Sequence, residues 1–337
     1  MAGRESVFSK PEIVQVAQQF VSAADEVWRL QRGRNSECQF FQRAVNKGQL
    51  ITDNGTRQGI YVFAASGELL TRLNSLNAER VLDKLNEGLA AWEALPKADR
   101  AGPPEADYLG EERWEGSRPT DGLLLTRVAR DLPPSGEPDG ARAKRWNRDS
   151  VWFSAAEVAE LIHTLDATDE WRALPRPFAR RLACFALVDN VYGQCIPFDL
   201  EDASTLELEA RCTSRGPDKL ELEFRGHTLL VEDGNWTLGE NLWKPKTMHP
   251  HAMETTSLGS GSFDLQSGQF TDFQWLALGR RSGYTELNSR RSRPEPGAIG
   301  FSFSLEPRSW PPAPTFLALY ESDWVQSPVL GRELRKQ

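Results

Sequence analysis

The chain has no apolar run approaching 18 residues, so no membrane-spanning helix is expected. Its opening residues, MAGRESVFSK, lack the apolar stretch of a secretory signal, and a cytoplasmic location is the expectation. Cysteine is scarce: Cys38, Cys184, Cys195 and Cys212 are the four in 337 residues. They are scattered and form no C-x-x-C pair, which argues against a disulfide framework and a zinc site. No H-E-x-x-H, G-x-S-x-G or EF-hand pattern occurs. GSGS at 259–262 lacks the lysine a phosphate loop needs. The net charge of -8 argues against a general nucleic-acid or anionic-membrane binder. With these signatures missing, a non-catalytic protein is favoured over an enzyme.

What is present is an ordinary globular composition, 39% hydrophobic and 26% charged, long enough for about two domains. The 11 tryptophans are read as mostly structural, because large aromatics carry much of a core's burial. PEIVQVAQQ (11–19) reads as a helix with Pro11 in its first turn and Ser9 as cap, and FVSAA (20–24) as a strand. SECQFFQRAVNK (36–47) reads as a helix capped by Ser36, with Phe40, Phe41, Ala44 and Val45 on one stripe. QGIYVFAA (58–65) reads as a buried strand, SG as a turn and ELLTRLNS as its hairpin partner. A helix follows Asn77, with Val81, Leu82, Leu85, Leu89 and Trp92 at helical spacing. Residues 96–120 are rich in Pro, Gly and charge and read as a linker. Beyond it, GLLLTRVARDL reads as a strand, and helices are expected at 155–164, capped by Ser154, and at 177–187. STLELEARCTS, DKLELEFRGHTLLVED, 257–279 and IGFSFSLE alternate apolar and polar residues, which predicts an antiparallel sheet or partly closed barrel with one wet face.

The order of elements over residues 8–95 resembles a thioredoxin fold without its first strand, most clearly in TRQGIYVFAASGELLTRLNSLNAERVLDKLNEGL. VFSKPEIVQVAQQFVSAADEVWRL resembles the segment that follows the redox cysteines in thioredoxin-like proteins. The pairing with GQFTDFQWLALG is similar to a bacterial, planctomycete-type group that joins such a unit to a C-terminal domain. The resemblance implies a strand and a C-x-x-C turn ahead of Ser6. No cysteine stands at Gly3–Ser9, and Gln58 falls where such proteins place a cis-proline. It therefore implies an α/β unit that has lost dithiol exchange, which needs two cysteines in reach.

The expected organisation is a thioredoxin-like domain at 1–95, a linker at 96–120 and a mainly antiparallel β domain at 121–330. Three sets of residues carry candidate chemistry. Cys38 lies at a helix N-terminus, which can activate a thiol. Met248, His249, His251 and Met253 offer thioether and imidazole donors in six residues, a set suited to copper(I), with His227 able to join. Arg280, Arg281, Arg290, Arg291 and Arg293 surround Tyr284 and could hold an anion or an acidic partner. The expected function is binding or scaffolding of a protein partner, with a homodimer through an exposed sheet edge as one form. The alternatives are a thiol- or metal-dependent activity, or a small-ligand carrier with a pocket lined by Leu208, Phe224, Phe273 and Trp275.

Overall fold

The computed structural model describes residues 7–25, 27–102, 121–132, 146–165, 169–237 and 243–306. The chain divides near residue 113 into two compact units.

The first unit holds helices α1 (Pro11–Ala17), α2 (Val27–Arg32) and α3 (Ser36–Val45), a hairpin of β1 (Ile60–Phe63) and β2 (Leu69–Leu73), then α4 (Ala78–Ala94) and α5 (Lys97–Arg100). The hairpin turns at Gly67, whose φ of +91° is open to glycine and strained for other residues. Strand alternation sends Val62 to one face, where it joins Val7, Ile13, Val81 and Leu85 in a small core. Tyr61 and Phe63 point the other way and meet Phe41 and Phe40 of α3 edge-on, at 5.5 and 6.2 Å. Helices thus cover both faces of the hairpin. Asn77 caps α4 as expected, its Oδ1 accepting from Arg80 N at 2.9 Å.

Two expectations are corrected here. Residues 20–24 form no strand, and Val21 is fully exposed. The cap of α3 is Asn35, one residue before Ser36; its Oδ1 accepts from Cys38 N at 2.8 Å. Lys97–Arg100 form a helical turn after α4, with Arg100 Nε donating to Leu95 O at 3.0 Å and its guanidinium over Trp92. Residues 103–120 lie outside the described residues.

The second unit is a sheet with helical cover. Its strands are β3 (Leu123–Asp131), β4 (Trp146–Phe153), β5 (Arg172–Ala173), β6 (Ala203–Arg215), β7 (Lys219–Glu232), β8 (His251–Asp264), β9 (Gln269–Gly283) and β10 (Gly297–Leu305). All eight pair antiparallel in the order β4-β3-β10-β9-β8-β7-β6-β5. Five long strands run as a meander, and the β3–β4 hairpin adds beyond β10. Among the described residues β4 and β5 are the two edges, and they do not pair with each other, so these strands form an open sheet.

Alternation decides its faces. Leu208, Ala210 and Cys212 on β6, Leu220, Leu222 and Phe224 on β7, Phe273, Trp275 and Ala277 on β9, and Phe301 and Phe303 on β10 are buried. They share one core with helix α6 (Ala155–Thr164), helix α7 (Arg176–Arg180), the π-helical turn Arg181–Ala186 and the segment after it, through Phe178, Leu182, Phe185, Leu187, Val188 and Phe198. α6 starts with the expected Ser154 cap. Ser154 Oγ accepts from Glu157 N at 3.2 Å, and the Glu157 carboxylate accepts from Ser154 N at 2.7 Å. Glu157 also receives Arg181 Nε at 3.0 Å, which ties α6 to the π-helical turn. Arg127 and Asp149, fully buried neighbours on β3 and β4, pair through two hydrogen bonds, and Arg127 Nη1 also donates to Ala186 O.

Candidate functional site

The three residue sets marked in the sequence have different surroundings. Cys38 is fully buried at the start of α3, with its Sγ against Gly33. The dipole that could activate it is present, and the access that a reactive thiol needs is not. Cys184, Cys195 and Cys212 are buried as well. Burial pushes the Cys195 thiol far up from its usual pKa, and the nearby Asp189 pushes the same way.

The methionine–histidine segment does not converge. Met248 is exposed, and His249 stacks on Tyr284 with ring centroids 4.2 Å apart. His251 opens β8 and faces inward, its Nδ1 3.4 Å from Glu232 Oε2 and its ring against Phe198. Met253, two residues on, is core. His227 lies on the opposite face of the sheet beside Glu254. Met248 and His249 lie ahead of β8 and outside its ladder, while the period of two puts His251 and Met253 together on the buried face of the strand. Among the described residues, no group of three or more His, Cys, Asp or Glu is placed to hold a metal ion.

The arginine run also splits. Arg280, Arg291 and Arg293 are exposed, whereas Arg281 and Arg290 turn inward. Arg290 is the hub of a buried ion network. Its Nη1 and Nη2 donate to Asp131 at 2.6 Å each, and its Nε and Nη2 donate to Asp189 at 2.7 Å each. The guanidinium also lies 4.3 Å from the Tyr192 ring centroid. Burial opposes the Arg290 charge; the hydrogen bonds from Asp131 and Asp189 outweigh it and hold the group above its usual pKa. Arg281 Nε stands 3.8 Å from both aspartates, and its Nη1 donates to the carbonyls of Arg293 and Glu295 at 3.1 Å. Two guanidiniums therefore face two carboxylates, and the charge is balanced inside the protein. The network joins the end of β3, the interior segment at 189 and the loop after β9. The same loop accepts Gln194 N at Leu287 O, 3.0 Å, and Asn190 Oδ1 accepts Cys195 N at 2.7 Å. This arrangement fixes loops. It presents no uncompensated charge to a ligand.

The proposed carrier pocket is filled by its own side chains. Phe224 packs against Phe273 and Trp275 with centroids 5.3 and 5.2 Å apart, and Leu208 is buried in the same core. A shallow apolar groove of about 330 Å³ lies elsewhere, between the exposed side of α6 and the β8–β9 turn, lined by Val158, Ile162, His163 and Phe263 among others.

The most distinctive surface is the outer face of the sheet. An antiparallel sheet with one wet face should carry polar residues there. Instead Leu258, Leu276 and Leu278 stand outward, 68%, 60% and 63% exposed. Leu258 pairs directly with Leu276 across β8 and β9, and Leu278 is two residues along the same face. On the far side they adjoin Ser302 and Gly300 of β10, whose small side chains leave the leucines standing proud. The signal was in the sequence as W-L-A-L at 275–278, where both alternating sets are apolar. Asp131 and Asp189 had no such signal.

No helix among the described residues is long and apolar enough to cross a membrane. Compared with protein-family models, curated proteins and solved structures, the chain matches none.

Proposed function

We propose that this chain is a non-catalytic binding protein that docks a protein partner on the outer face of its eight-stranded sheet. The observation that carries this reading is the Leu258–Leu276–Leu278 cluster, held outward on a rigid face. Burying three such side chains against a partner would contribute about 1.5–3 kcal/mol each at most. The buried ion network supports the same reading from the other side, since its groups satisfy one another and fix the loops at one end of the sheet. The first unit then reads as a thioredoxin-like remnant. Its hairpin, covered by α4 on one face and α3 on the other, supports that reading, and the coil at 21–25 departs from it.

The test is a charge placed in the patch. Leu258→Lys with Leu276→Glu should leave thermal unfolding nearly unchanged, because both side chains already face solvent and the new charges, directly opposite across β8 and β9, are of opposite sign. A partner captured by the wild-type chain from extract of its source cells, and shown to rebind as a purified protein, should be lost by the double variant. Sedimentation of the purified chain asks whether that partner is a second copy. Retention of the partner by the variant would remove the reading.

A further inference from the structure

The loop between α3 and β1 carries Asp53-Asn54-Gly55-Thr56-Arg57, and the first four residues are exposed. Its hydrogen bonds gather three chemical roles around one side chain. The Gly55 N–H donates to Asp53 Oδ1 at 2.7 Å, which places a carboxylate on the proton of that backbone amide. Arg32 Nη2 donates to Asn54 Oδ1 at 3.4 Å, which polarises the side-chain carbonyl and faces the oxygen that becomes negative when it is attacked. Gly55 has no Cβ to obstruct the approach of its own nitrogen to the neighbouring side chain.

We propose that Asn54 is a self-modification site. The Gly55 nitrogen attacks Asn54 Cγ, forming a new C–N bond as the amide proton passes to Asp53 or solvent. The tetrahedral carbon then expels the side-chain nitrogen as ammonia and leaves a five-membered cyclic imide. One water opens either carbonyl of the imide, giving aspartate or isoaspartate at position 54. No oxidant or cofactor enters, and the sum is asparagine plus water to a carboxylate plus ammonia.

The surroundings favour both the step and its product. Arg57 Nη2 donates to Asp53 Oδ2 at 2.6 Å, which holds the carboxylate in place beside the Gly55 N–H. Arg57 is itself anchored, its backbone N–H donating to Gln31 Oε1 at 2.9 Å. Arg32 is steadied over the Trp28 ring at 4.6 Å. A carboxylate formed at 54 meets the same Arg32 guanidinium and gains an ion pair in place of a neutral hydrogen bond. Isoaspartate would add one backbone carbon between α3 and the hairpin. Asn35 and Asn77 lack this arrangement, because they spend their side-chain oxygens capping helices.

The experiment is incubation of the purified full chain at neutral pH over days, followed by digestion and mass analysis of the peptide Gly48–Arg57. Conversion should appear as a gain of about 1 Da, split into two chromatographic forms. Asn54 should convert on the order of tenfold faster than Asn35 or Asn77, and Gly55→Ala should slow it by on the order of tenfold. A Cβ at 55 would meet only the ends of the Arg57 and Asp53 side chains, so that variant keeps its fold. Arg32→Gln should slow conversion while leaving Gly55 in place, which separates assistance by the guanidinium from the reactivity of the dipeptide. Conversion no faster than at the capping asparagines, or unaltered by Gly55→Ala, would overturn the proposal.

Discussion

Replacing Arg290 by methionine tests the central claim about the second unit, that its ion network is structural and internally balanced. The variant removes four charge-assisted hydrogen bonds of 2.6–2.7 Å and leaves Asp131 and Asp189 facing each other in a site that is largely closed to water. Deleting one partner of a buried pair costs about 3–5 kcal/mol, because the remaining charge keeps its desolvation cost and loses its compensation. Arg281, 3.8 Å from both carboxylates, compensates part of the loss. The expected value is therefore near the lower end, about 3 kcal/mol. The assay is denaturant unfolding followed by a signal specific to the second unit, since two units need not unfold together. Adding Asp131→Asn and Asp189→Asn to Arg290→Met should recover much of the stability at neutral pH. A loss under about 1 kcal/mol, or a triple variant as unstable as the single one, would refute the reasoning.

Three further outcomes follow from the same structure. All four thiols are buried, so a thiol reagent should label none of them rapidly in the folded chain and all four after denaturation; one fast-reacting thiol would contradict this. Ser154→Ala removes half of the capping box on α6 and should cost about 1 kcal/mol in an unfolding titration, with a change near zero counting against the cap. Asp264 has its carboxyl held below the usual range by the backbone N–H of Ser267 and then by that residue's hydroxyl. A depressed folded pKa stabilises above the unfolded carboxylate range and loses that contribution as pH falls. Asp264→Asn should therefore flatten the acid side of a stability–pH curve, and an unaltered slope would show that the turn does not titrate.

Much of the fold is legible in local pattern. The alternation at Leu206–Cys212, Leu220–Phe224 and Phe301–Phe303 states that these segments are strands with one face buried, because the pleat has a period of two. Ser154 and Asn77 announce their helices through the hydrogen bonds their side chains make to the first turn. Local pattern misleads where the structure depends on a neighbour. Residues 20–24 have the composition of a strand and form none, and Ser36 resembles a cap while Asn35 supplies it. The helix read over 177–187 is real at its start and passes into a π-helical turn, where the Ala186 carbonyl is taken by Arg127 from a distant strand.

The candidate sites divide in the same way. The sequence by itself determined which residues share a face in the strands it announces, Leu206–Cys212, Leu220–Phe224 and Phe301–Phe303 among them, since alternation is a property of the chain alone; it did not show that β8 begins at His251 and takes Met253 inward. It could not assign partners to charges. Arg290 finds Asp189 at a separation of 101 residues and Asp131 at 159. The meeting with Asp131 exists because β3, paired with β4 on one side, pairs with β10 on the other and so lies beside the end of the meander. Strand order is set by the packing of the whole unit, and only that packing turned a run of arginines that reads as an anion site into a closed, self-compensated clasp.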